Sequence, residues 1–94
     1  MNEKYLPLGS VILLKKASKR IMIIGYAIKS NDSPNKLWDY LGCLYPEGVQ
    51  TSDKNLLFDH KDIETIYALG YSDDEHKRYI KFMNDTIQEK GFNC

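Results

Sequence analysis

The sequence predicts an α+β domain, mainly β, in which a small curled antiparallel sheet of five strands is followed by one C-terminal helix. Five short apolar or alternating runs, each bounded by turn formers, occupy most of the chain. One amphipathic run with a capping signal closes it. The 94 residues suit a single core, and 43% apolar with 12% aromatic residues are enough to fill it. The expectation is one domain over 1–94, with a strand-rich core at about 6–71 and a helix at about 73–90.

Gly9-Ser10 opens the first run, 11–15, whose four consecutive apolar residues predict a strand buried on both faces. A polar connection at 16–19 leads to the second run, 20–30, which is rich in isoleucine. Gly25 in its middle predicts a bulge or sharp coil, because a bare backbone lets a small sheet curl. Asn31-Asp32-Ser33-Pro34-Asn35-Lys36 reads as a mobile surface loop, since each residue favours turns or is excluded from ladders. A third strand over 37–45 is apolar or aromatic on both faces, which suits an inner position. Pro46-Glu47-Gly48 turns the chain. Residues 55–58 form a fourth short strand, Asp59-His60-Lys61-Asp62 a single helical turn, and 63–69 an alternating fifth strand ended by Gly70.

Ser72-Asp73-Asp74-Glu75 has the form of a capping box, with Ser72 as the cap. Tyr79, Ile80, Met83 and Ile87 then recur at helical spacing as one apolar stripe, with His76 at its edge, and Lys90-Gly91 supply the stop. Strand pair, loop, two strands, one turn and a closing strand is also the order of a small SH3-like barrel, the closed form of the same sheet.

The charge balances at 13 against 13 but is unevenly placed. Residues 1–36 carry a net +5 and the remainder a net −5. This argues against a global grip on nucleic acid or anionic lipid, and solvated charge on strand ends and a helix is its commonest use. Two cysteines make neither a disulfide framework nor a zinc site; Cys43 reads as a small core residue and Cys94 as a loose terminus. The start of the chain shows no signal peptide, and no run is apolar for long enough to span a bilayer, so a cytoplasmic location without membrane insertion is expected.

Candidate chemistry is sparse. Cys43, His60 and Asp62 are the types of a thiol triad, yet apolar surroundings disfavour the thiolate such a triad needs. The two histidines, even with Asp59, Asp62 and Cys43, match no metal-ligand spacing, and no phosphate loop is present. Asp39 and Glu47 form a weak acid pair. No catalytic residue, metal or cofactor is expected.

Binding is the better-supported class. Trp38, Tyr40, Tyr45 and Glu47 in the aromatic segment, together with Phe82 on the helix, are the candidate partner-binding residues, because rigid aromatics give contact area at small entropic cost. The main competing use of such aromatics is core packing. An alternative is a nucleic-acid-binding barrel that uses Lys15, Lys16, Lys19 and Arg20 of the first hairpin. Nothing in the sequence sets an oligomeric state.

Three segments carry a family resemblance. They are Leu6-Pro7-Leu8-Gly9-Ser10-Val11-Ile12-Leu13-Leu14-Lys15 followed by Met22-Ile23-Ile24-Gly25-Tyr26; Asp39-Tyr40-Leu41-Gly42-Cys43-Leu44-Tyr45-Pro46-Glu47-Gly48; and Phe58-Asp59-His60-Lys61-Asp62-Ile63 with Ile66 and Gly70-Tyr71. In order and spacing these resemble domain-of-unknown-function family 4176, over roughly residues 5–72. The resemblance implies a small cytoplasmic protein of Gram-positive bacteria, encoded near type VII secretion loci and their LXG-type toxins. It implies an accessory or targeting role in which the domain binds the secreted toxin or its small helical partners, and it supplies no catalytic residue. The connection at 16–19 lacks the glycines expected in that turn.

Overall fold

A computed structural model describes residues 5–30 and 33–89. The expected turn residues Asn31 and Asp32, the helix stop at Lys90-Gly91, and Cys94 lie outside them. Strands β1 (Val11–Leu14), β2 (Ile21–Ser30), β3 (Ser33–Leu44), β4 (Leu56–Phe58) and β5 (Ile63–Ala68) form one antiparallel sheet, and helix α1 (Asp74–Glu89) follows. The strand order is β4-β3-β2-β1-β5. The sheet is not closed: β4 and β5 are its two edges, joined in the chain by a single 3₁₀ turn at His60–Asp62. The curled open sheet is therefore what forms, and the closed barrel is not.

Local chemistry explains most of the curl. Ile23 pairs with Gly42 and Gly25 with Leu41, so β2 carries one extra residue beside Gly25 and bulges there. A Cβ on Gly42 would meet Ile21 Cγ2 at 2.4 Å, so the glycine lets the inner side chains close over β3. Further along β2, Ala27 adopts a left-handed backbone at φ 54°.

Three expectations are corrected. Residues 33–36 are strand rather than loop: Ser30 pairs with Ser33 and Lys29 with Leu37, so β3 takes up its turn-forming residues as an irregularity opposite the end of β2. Proline is tolerated in such a place because no regular ladder bond is asked of it. The helix cap is Asp73, not Ser72: Asp73 Oδ1 accepts the His76 N–H at 3.0 Å, the third amide of α1. In β1 only Ile12 is fully buried, and its three neighbours are half-buried.

The core lies between the concave face of the sheet and α1. Ile12, Ile21, Ile23, Leu37, Tyr40 and Phe58 meet Met83 and Ile87 of the helix. Tyr5 and Leu6, which precede the first strand, are also fully buried in this cluster. Ser10 anchors that N-terminal segment, donating from Oγ to the Pro7 carbonyl (2.7 Å) and accepting the Gly70 N–H (3.0 Å). Gly70 passes so close that a Cβ there would lie 1.9 Å from the Leu8 carbonyl oxygen.

Candidate functional site

The densest chemistry in the molecule is a polar and aromatic knot between the N-terminal segment, β3 and the 3₁₀ turn. Tyr40 is fully buried, stacked on Phe58 at 5.3 Å between ring centroids and edge-on to Tyr5 at 6.0 Å. Its hydroxyl accepts the Leu6 N–H at 2.9 Å and lies 2.8 Å from His60 Nδ1. Tyr26 donates to the Leu6 carbonyl at 2.5 Å, so two tyrosines hold both polar groups of one backbone residue. Burial pushes both phenols up, from 10.0 to about 12.

The acids around the knot are engaged with backbone. Asp39 accepts the His60 N–H at 2.8 Å, Asp59 accepts the Asp39 N–H at 3.2 Å, and Asp62 accepts the Asp59 N–H at 3.1 Å. Lys36 pairs with Asp59 at 2.9 Å and lies 4.5 Å above the Trp38 ring. Burial alone would raise the Asp59 carboxyl, but the Lys36 ammonium and the Asp39 N–H outweigh it and hold the group below its ordinary value. Among the described residues no three of His, Cys, Asp and Glu are placed to hold a metal ion. Cys43 is wholly buried, while His60 and Asp62, its partners in the candidate triad, are bonded to Tyr40 and to the Asp59 backbone.

The residues singled out in the sequence separate into three places. Tyr40 leaves the candidate surface, because at 0% exposure no partner can touch it. Trp38 is half-buried beneath Lys36. Tyr45 and Glu47 lie against the first hairpin instead: Glu47 pairs with Lys19 at 2.8 Å, and Tyr45 shares a shallow depression with Lys19, Arg20 and Tyr67. The Arg20 guanidinium stacks 4.4 Å from the Tyr67 ring centroid. Tyr45 and Glu47 of the aromatic set thus share one mixed patch with Lys19 and Arg20 of the basic set, and both of those cations are occupied within the chain. Lys15 and Lys16 stay exposed, with Lys16 taking the left-handed conformation (φ 65°) that the turn requires without a glycine.

Phe82 stands apart from all of these. It is 65% exposed and forms one wall of a groove of about 540 Å³ between α1 and the β2–β3 hairpin. Ala27, Leu37, Tyr79, Met83 and Ile87 contribute to the rest of the lining. Tyr79, 53% exposed, is also part of a second depression of about 620 Å³ with Leu8, Tyr26, Tyr71 and His76. The two depressions share Tyr79, so a largely apolar and aromatic surface, which also takes in Lys29 and Glu75, runs beside α1. Tyr79 and Leu8 do not show themselves as surface residues in the sequence, whereas Tyr71 belongs to the aromatic set of which the binding reading expects some members to stand exposed, and it is 80% exposed. Tyr79, read from the sequence as part of the apolar stripe with Ile80, Met83 and Ile87, lies instead on its exposed flank, one residue before the half-buried Ile80.

Among the described residues no helix is long and apolar enough to cross a membrane. No curated protein and no solved structure matches the chain. A family model does match, over residues 5–79, from the buried Tyr5 through the sheet and knot into the first turns of α1. The chain belongs to the family described as domain of unknown function DUF4176.

Proposed function

We propose that this domain is a non-enzymatic protein-interaction module that works in the cytoplasm as an adaptor or targeting factor for a secreted protein. One observation supports this reading above the others. The groove beside α1 exposes Phe82 and Tyr79, two large aromatics that the core does not use, where rigid contact area is available to another protein. The non-enzymatic part rests on the knot, whose acids and His60 spend their hydrogen bonds on the 3₁₀ turn and the N-terminal segment. The finer setting, a type VII-secreted LXG-type toxin or its small helical partners in a Gram-positive cell, rests on the resemblance of the three sequence segments.

Affinity capture from the native cell with the full tagged chain, alongside the products of neighbouring genes, tests the proposal. The expected result is a stable complex that Phe82→Glu weakens by roughly thirtyfold or more while leaving the fold intact. A chain that retains no partner overturns it. The competing nucleic-acid reading predicts retained nucleic acid whose binding falls steeply with salt and is lost on reversing Lys15 and Lys16. With Lys19 and Arg20 held by Glu47 and Tyr67, that surface has less charge to offer.

A further inference from the structure

Helix α1 carries two seams. His76, Ile80, Met83 and Ile87 face the sheet, half-buried or buried. Beside them Glu75, Tyr79, Phe82, Thr86 and Glu89 recur at alternating intervals of four and three, the spacing by which one helix packs along another. This second seam is solvent-facing, with only Thr86 half-buried, and its centre is the aromatic pair of the groove. Arg78 and Asp85 flank it on the side away from the sheet, seven residues apart and both exposed, and Asp85 also pairs with Lys81 of its own helix at 3.1 Å, a solvent-facing contact that leaves its carboxylate open to a second cation. The seam is apolar in the middle and acidic at both ends.

The charges discriminate between ways of pairing this seam with a copy of itself. A parallel, in-register pair puts Glu75 beside Glu75 and Glu89 beside Glu89, which is repulsive at both ends. An antiparallel pair shifted toward the C-terminus sets Glu89 against Tyr79 and desolvates a carboxylate. The antiparallel register whose two-fold axis passes between Ile80 and Lys81 avoids both faults. It places Tyr79 of each copy against Phe82 of the other, Glu75 opposite Thr86, and Arg78 of each copy across from Asp85 of the other. Such an interface is self-complementary, with two aromatic layers and two ion pairs generated by one symmetry operation.

We propose that a second copy of this chain occupies the α1 groove, forming an antiparallel helix pair in this register. The inference rests on reading the groove as an interaction surface, and it commits that surface, in the absence of another partner, to self-association. The aromatic seam is then sheltered in the resting protein and becomes available when a heterologous partner displaces the copy.

Sedimentation velocity on the purified full chain, with no partner present, tests it. The expected result is a dimer at about 100 µM that Phe82→Glu weakens by about a hundredfold. Arg78→Glu and Asp85→Arg each weaken it by about tenfold, because each turns two attractive pairs into repulsive ones. The double variant recovers to within about threefold of the unaltered chain, since the reversed charges attract again. A wild-type chain that stays monomeric at this concentration overturns the proposal, whatever the variants do. So does a dimer that Phe82→Glu leaves intact, or one in which the double variant is no better than the single ones. A monomer that still captures a partner overturns self-association and leaves the interaction reading standing; a dimer that captures nothing does the reverse.

Discussion

Tyr40 and Phe82 are both large aromatic residues on regular elements of the same small domain, yet one is wholly buried and the other is 65% exposed. Around Tyr40, ring stacking, two hydroxyl contacts and three carboxylate-to-backbone bonds connect the N-terminal segment to β3 and the 3₁₀ turn. Around Phe82 the contacts are those of a groove wall, with open space on the other side. The knot therefore holds the chain together, whereas the groove leaves contact surface that the fold does not need. Among the described residues, the polar side chains of the knot are engaged inside the fold, whereas the aromatic rings of the groove face solvent.

The contrast is broken most severely at the knot. Tyr40→Ala is expected to cost about 3–5 kcal/mol, because it empties a filled site and orphans the Leu6 N–H; urea denaturation measures it. Tyr40→Phe keeps the volume and is expected to cost about 1–3 kcal/mol, for the unpaired Leu6 amide and the lost His60 contact. High pH attacks the same place. The Tyr26 and Tyr40 phenols lie at about 12 in the folded protein against 10.0 in an ordinary setting, so the folded state holds more protons in that interval. Their contribution to stability is complete below pH 10 and is lost as pH rises through about 12. Denaturation midpoints taken across this range should fall, and Tyr40→Phe should flatten part of the decline. At the groove the expected effect on folding is the smallest: Phe82→Ala should change stability by no more than about 0.5 kcal/mol. A larger loss there would mean that the groove belongs to the folding core after all.

Much of this division was legible in the sequence. The strands show themselves by runs of isoleucine, leucine and valine between turn formers, the β2 bulge by Gly25, and the helix by its stripe and acidic start. Cys43 reads as a core residue from its neighbours, and it is one. The misreadings share a cause, which is that local composition was overridden by pairing. Ser33 and its neighbours have the composition of a loop, but the long β2 offers them a partner and the irregularity at its end absorbs the proline. Ser72 and Asp73 are equally good caps by type, and it is Asp73 that reaches the third amide of the helix. Tyr40 looks like a binding aromatic because sequence shows its neighbours in the chain, not the Phe58, Tyr5 and His60 that close over it. Glu47 and Lys19 are 28 positions apart, a distance at which no local pattern reveals an ion pair.

The Ser10 hydroxyl bonded to the Gly70 amide sets an order of events as well as a shape. The earliest described residues, from Tyr5 onward, receive their partners from Tyr26, Tyr40 and finally Gly70. On a ribosome, residues 5–10 emerge before these partners, and the Ser10 hydroxyl has no Gly70 amide to accept until β5 has emerged to flank β1. Until then Leu6 and Tyr5 remain uncovered apolar surface on an incomplete sheet, and that interval is when the growing chain is most open to wrong partners.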